Sequence, residues 1–230
     1  MTLHILSAGA AKGLVGAVAA EFERASGHAI AGAFGAVGAM REKYMAGEPC
    51  DVILLTAAMI GELEAAGEVA AGSARDLGRV RTGVAVPEGA PVPRIDDRGG
   101  LAAALEAASA IYLPDPLRAT AGIHVMKVIG ALGLADALAS RIRAFPNGAA
   151  AMAAMAGAGD ARAIGLTQVT EILYTAGVRL AGPLPAQFEL ATVYTAAVTR
   201  RAADPALAAR LVALLGGPDS LERRRAGGFE

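Results

Sequence analysis

Residues 3–18 read LHILSAGAAKGLVGAV. Leu3 to Leu6 form a short β-prone run with apolar ends, the pattern of a buried strand. Ser7, Ala8, Gly9, Ala10, Ala11 and Lys12 follow. Leu14, Val15, Val18, Ala19 and Phe22 then recur at three- and four-residue spacing up to Gly27, a helix with a glycine stop. A strand therefore enters a helix through side chains small enough for another group to touch the backbone. The first N–H groups of such a helix lack internal partners and carry the positive end of its dipole, so the junction suits an anion. Ser7 is placed either to cap the helix or to point its hydroxyl outward.

The same alternation continues along the chain. HAIAGAF reads as a strand, AVGAMREKYMAGE as a helix, CDVILLT as a strand and AAMIGELEAAGEV as a helix. This β-α-β-α order predicts an α/β fold with a largely parallel sheet. VRTGVAV and the Gly- and Pro-rich loop after it interrupt the rhythm, which resumes through GLAAALEAAS, AIYLPD, TAGIHVMKVIGALG and ARAIGLTQ. FELATVYTAAVT reads as a returning strand. Two helices close the chain, with Pro205 and Pro218 in first-turn positions. The expected organisation is a first lobe over 1–80, a second over 81–185, and a return crossing with closing helices over 186–230.

Composition excludes several classes. The formal net charge is −1, so no basic field is available for nucleic acid. Arg223, Arg224 and Arg225 read as a solvated helix face. The single cysteine, Cys50, rules out an intrachain disulfide and stands before a core strand, where a buried thiol is expected. No Cys/His spacing suggests a metal, and no cofactor is expected. No uninterrupted apolar run is long enough for a membrane span. The absence of a visible secretory leader before Leu3 leaves two expectations for location: periplasmic for a mature form, cytoplasmic otherwise.

The small-residue junction is not isolated. It recurs at Phe34–Gly38 (FGAVG), Asp115–His124 (DPLRATAGIH), Pro146–Ala150 (PNGAA) and Gly165–Thr170 (GLTQVT). None is a phosphate loop, since G-x-x-x-x-G-K-[ST] is missing, and the G-x-G-x-x-G dinucleotide spacing is missing from the first junction.

LSAGAAKGLVGAVAAEFERASG, FGAVGAMREKYMAGEPCDVILLT, AIGLTQVTEIL and GVRLAGPLPAQFELATVYTAAV together resemble the type II periplasmic solute-binding proteins, in particular the molybdate-binding branch. The resemblance spans almost the whole chain. It implies two α/β lobes, each a mostly parallel sheet flanked by helices, joined by two crossing strands and closing over a small anion in an interlobe cleft. Carried over by position, Ser7 and Ala8 contact the ligand from the first lobe, with Lys12 in the first helical turn and Gly35, Ala36 and Val37 in the second loop. That loop has no hydroxyl where the family usually supplies a serine. Losing such a donor to a buried oxyanion costs roughly 1–3 kcal/mol. From the second lobe the resemblance points to Arg118, Thr120, Ala121, Asn147, Gly148 and Gln168.

Arginine suits a carboxylate, because its two parallel N–H groups match the two oxygens, whereas the tetrahedral oxyanion sites of the family this chain resembles are largely neutral. The leading expectation is therefore a binding protein of the ABC-transporter type, holding a small anion that is an organic carboxylate rather than molybdate, with a permease as possible partner. The alternative is an enzyme on the same scaffold. Aconitate isomerases resemble this branch too, and an allylic proton shift needs carboxylate anchors and a base, for which His124 is the candidate and Tyr194 a poorer one. A sensing domain detached from a regulator ranks last, because no DNA-binding motif accompanies the chain.

Overall fold

In the computed structural model, which describes residues 2–230, the apolar runs become nine strands and the amphipathic runs ten helices. The strands are β1 (Thr2–Ala8), β2 (Ala29–Gly35), β3 (Val52–Thr56), β4 (Arg75–Pro87), β5 (Ile111–Pro114), β6 (Ile142–Phe145), β7 (Ile164–Gln168), β8 (Val178–Pro183) and β9 (Ala191–Val198). The helices are α1 (Lys12–Ser26), α2 (Val37–Met45), α3 (Ala57–Ala65), α4 (Arg98–Ala107), α5 (Thr120–Leu132), α6 (Ala135–Leu138), α7 (Gly148–Gly157), α8 (Val169–Leu173), α9 (Pro205–Gly216) and α10 (Leu221–Ala226). The chain divides into two units, one of residues 1–80 with 192–230 and one of residues 81–191.

In the first unit the sheet runs β2-β1-β3-β9 and then the start of β4. β1 pairs in parallel with β2 and β3, while β9 returns antiparallel to β3. Leu14, Val15, Val18 and Phe22 form the buried face of α1, and Leu207, Leu211, Val212 and Leu215 that of α9. Each such side chain contributes about 1.5–3 kcal/mol on leaving water. Gly27 ends α1 at φ 73°, a conformation glycine reaches without strain. Pro205 opens α9 behind Asp204, whose carboxylate accepts from Leu207 N–H at 2.9 Å.

Two of the three C-terminal arginines depart from the solvated face expected of them, while Arg225 stays exposed and pairs with Glu222 on the same helix. Arg224 donates to the carbonyls of Leu215 and Gly217 at the end of α9, and Arg223 pairs with Glu21. The last carbonyls of a helix lack internal partners, so a nearby guanidinium serves as a cap.

In the second unit the sheet runs β4-β7-β5-β6, with β8 also on β4. β5 is parallel to β6 and β7; β4 is antiparallel to β7 and β8. Successive side chains point to opposite faces, and the core divides accordingly. Val84, Ile111 and Leu113 pack with Leu101, Leu105, Val125 and Ile129 from α4 and α5. Ala85 packs with Met152 and Met155 of α7 and Ile172 of α8, with Tyr112 of β5 against the same cluster. Gly165 of β7 lets α7 come close, since a Cβ there would lie 2.4 Å from Met152 Cε. No helix among the described residues is long and apolar enough to cross a membrane.

Candidate functional site

Parallel neighbours bring their carboxyl ends to one edge of a sheet, and the helices that follow start there. In the first unit Ala8 ends β1 opposite Gly35, the end of β2. A single 3-10 turn, Gly9–Ala11, leads into α1, while Ala36 leads into α2. Ala8, Ala10, Ala11, Ala36 and Val37 are all buried. Neither the 3-10 turn, nor α1, nor α2 has a side-chain cap.

In the second unit Pro114 at the end of β5 is level with Phe145 at the end of β6, and β7 ends beside them at Gln168. Helix α5 starts behind Ala119 with no side-chain cap, and Ala119 and Ala121 are buried. Gly122 packs against the backbone of Pro114 and Asp115, where a Cβ would lie 2.3 Å from a carbonyl oxygen. Only glycine permits that approach.

Four other helices begin with a conventional cap. Thr56 accepts from Met59 N–H, Asp97 from Gly100 N–H, Asn147 from Ala150 N–H and Asp204 from Leu207 N–H. The contrast matters because a buried helix start without an acceptor is unfavourable in isolation and favourable around a bound anion.

The Asn147–Gly148 turn is built differently from the other junctions. Its donors are consumed internally. Asn147 Oδ1 accepts from Ala150, and the buried Glu171 carboxylate accepts from Thr167 Oγ at 2.5 Å, with the backbone N–H groups of Gly148, Ala149 and Gln168 near enough to favour its charged form. The protein's own carboxylate thus stands at the start of α7, where a ligand was expected. Burial raises the pKa of Glu171, and the four donors oppose that shift. A Cβ on Gly148 would lie 1.9 Å from Thr167 Oγ and 2.0 Å from a Glu171 oxygen, so Gly148 makes room for the carboxylate. Glu171 and Thr167 were missed in the sequence, although their i, i+4 spacing across the strand end was visible.

Ser7 is fully buried, but its hydroxyl donates to the Ala8 carbonyl at 2.9 Å rather than capping α1 or pointing outward. Lys12 and Arg118 are exposed, and Arg118 N–H donates to Asp115 Oδ1, as does Leu117 N–H. Thr120 is half-buried on the first turn of α5. His124, one turn further on, places Nε2 2.8 Å from the Phe188 carbonyl. A carbonyl only accepts, so Nε2 carries the proton and Nδ1 is the basic nitrogen of the neutral ring. Gln168 is 3% exposed, and neither its Oε1 nor its Nε2 has a hydrogen-bond partner; the same holds for the hydroxyls of Thr82 and Thr170. Cys50 is buried as expected, its thiol directed at the Val52 carbonyl. Among the described residues no cluster of His, Cys, Asp and Glu could hold a metal ion.

Comparison with known proteins places this geometry in context. The fold is shared with the periplasmic molybdate-binding protein of Azotobacter vinelandii (TM-score 0.80, 23% identity, 99% of this chain and 98% of the other). It is shared also with the sulfate-binding protein SubI of Mycobacterium tuberculosis (TM-score 0.74, 16% identity, 100% and 86%). In sequence, the chain is 28% identical over 225 residues to an aconitate isomerase from a Pseudomonas species, covering 95% of this chain and 84% of that protein. Residues 3–230 match the family described as bacterial extracellular solute-binding protein, and the α/β topology agrees with it, so the chain belongs to that family.

Proposed function

We propose that the chain captures a small organic carboxylate through backbone N–H groups at buried helix starts that it leaves without side-chain caps. The contrast between capped and uncapped helices carries this reading. Asp97, Asn147 and Asp204 close their own helices, yet Ala8, Ala36 and Ala119 stand where those caps would be. Capture needs no catalytic residue, and a permease of the ABC type is the natural recipient for a member of this family. On this reading the protein works outside the cytoplasmic membrane. A carboxylate is favoured over an oxometalate because the Gly35–Ala36–Val37 loop offers no hydroxyl, and because a sequence relative is named for acting on a polycarboxylate.

The test is a thermal-shift and calorimetry panel of molybdate, tungstate, sulfate, citrate, cis-aconitate and trans-aconitate. Stabilisation by a carboxylate is expected; stabilisation by oxometalates alone overturns the reading.

The aconitate isomerase relative favours a second reading, an isomerase of a small unsaturated polycarboxylate. There Arg118 and Lys12 anchor carboxylates, and His124 removes the proton through Nδ1, with Nε2–H held by the Phe188 carbonyl. Proton NMR of trans-aconitate incubated with the protein should then show cis-aconitate. His124→Ala should abolish that turnover while carboxylate binding persists; turnover that survives removes His124 from the mechanism.

A further inference from the structure

The second unit holds three buried residues whose side-chain polar atoms are unpartnered: Thr82, Gln168 and Thr170. Thr82 and Gln168 face each other directly across the antiparallel β4–β7 pair, so their side chains leave the same face of the sheet as nearest neighbours. They do not bond to each other. Glu171, the adjacent carboxylate, does not serve them either: it accepts from Thr167, and neither the Thr82 nor the Gln168 side chain reaches it. Buried amides are nearly always paired, and two neighbouring orphans that ignore one another point to a third group between them.

The chemistry of the amide restricts that group. Gln168 offers a donor in Nε2 and an acceptor in Oε1, and both are unpartnered, so exchanging the two atoms changes nothing. A fully ionised oxyanion only accepts. It would satisfy Nε2 and leave Oε1 against negative oxygen. A hydroxyl satisfies both, accepting from Nε2–H and donating to Oε1, with the Thr82 hydroxyl able to complete its set.

Resting on the carboxylate reading above, we propose that the ligand is a hydroxy acid whose hydroxyl is read by Gln168. Carboxylates go to the uncapped helix starts, and the hydroxyl goes to the buried amide.

The experiment is calorimetry on the intact chain with two matched pairs, citrate against tricarballylate and malate against succinate, which differ only by the hydroxyl. The hydroxylated member of at least one pair should bind about ten- to hundredfold more tightly, the range expected when a buried polar group loses its partner. In Gln168→Leu and Gln168→Met the preference should fall below about twofold, with affinity for the hydroxyl-free member retained. Equal affinities within both pairs overturn the proposal on the wild-type protein alone, whether or not the variants fold, and mean that the amide is satisfied by an ordered water. A preference that survives in both variants, with native melting, also overturns it. If none of the four acids binds while an aconitate does, this proposal falls and the carboxylate reading stands; if no carboxylate of either panel binds, both fall.

Discussion

Gly148→Ala isolates the device at the start of α7. The new Cβ would lie 1.9 Å from Thr167 Oγ, 2.0 Å from Glu171 Oε2 and 2.6 Å from Glu171 Cδ. Ordinary contact requires about 3.5 Å, so the carboxylate and the hydroxyl must each retreat by about 1.5 Å. That distance carries Glu171 out of hydrogen-bond range of donors it now meets, including Thr167 at 2.5 Å. Overpacking costs about 1–3 kcal/mol, and loosening bonds to a buried charge adds about 1.5–3 kcal/mol. A loss of about 2.5–6 kcal/mol follows, or a fall in melting temperature of about 5–24 °C for a chain of this size.

Gly130→Ala, inside α5 with nothing within 4 Å of the new Cβ, is the control. It should stabilise by about 0.5–1 kcal/mol through helix propensity alone. Circular dichroism melts and urea titrations of both variants give the comparison. A double-mutant cycle with Glu171→Ala sharpens it. Once the carboxylate is gone the Cβ has space, so the double variant should be little worse than Glu171→Ala, with a coupling of about 2 kcal/mol or more. A Gly148→Ala protein that melts within about 2 °C of wild type, or whose loss simply adds to that of Glu171→Ala, refutes the account.

Two titratable groups give further outcomes. Tyr44 is fully buried and donates to the Glu68 carbonyl at 2.7 Å; burial first, and the Glu68 side chain second, push its pKa up to about 12 from 10. The folded state holds this proton over a pH range where the unfolded chain has released it, so the contribution to stability is complete below about 10 and declines as pH rises to about 12. Urea titrations across that window should show the decline in the wild type and a flatter profile in Tyr44→Phe; identical slopes count against it. Burial likewise pushes the Cys50 thiol up to about 12. The native protein should resist a thiol reagent at mildly alkaline pH and react once denatured, because only the thiolate attacks; rapid labelling of the native state contradicts the burial.

Most of the fold was legible in the sequence because it is written in periodicity. β3, with Val52 to Leu55 all buried, and α1, with four inward positions, follow from pattern alone. Pro205 and Pro218 mark the starts of their helical segments, as first-turn prolines do. The candidate site was less legible, because what separates one strand-to-helix junction from another is the destination of a single hydrogen bond. Asn147-Gly148-Ala149 and Arg118-Ala119-Thr120 look equally open as strings of small residues. Only the position of Glu171, 24 residues after Asn147 in the chain and beside it in space, distinguishes the closed one. The direction of the Ser7 hydroxyl was not legible either: it donates to the Ala8 carbonyl instead of capping a helix.

The difference between closed and open helix starts also bears on how the protein tolerates being empty. A helix start shielded from water and lacking an acceptor lowers stability until an anion arrives, and binding then returns that stability by mass action. Capping every start would give a sturdier molecule with nothing left to offer the carboxylate proposed above. Glu171 takes the intermediate course at α7, supplying the protein's own carboxyl group at the helix start, three residues after the unpaired Gln168 amide. On the function proposed above, stabilisation on adding a ligand should arise at helix starts without a side-chain cap, such as those of α1, α2 and α5, and not at α7. Amide hydrogen exchange resolves this: protection gained at Ala10–Ala11, Val37–Gly38 and Thr120–Ala121 with none gained at Gly148–Ala149 is the pattern the hydrogen bonds require, and protection gained chiefly at Gly148–Ala149 would show that Glu171 gives way to the ligand.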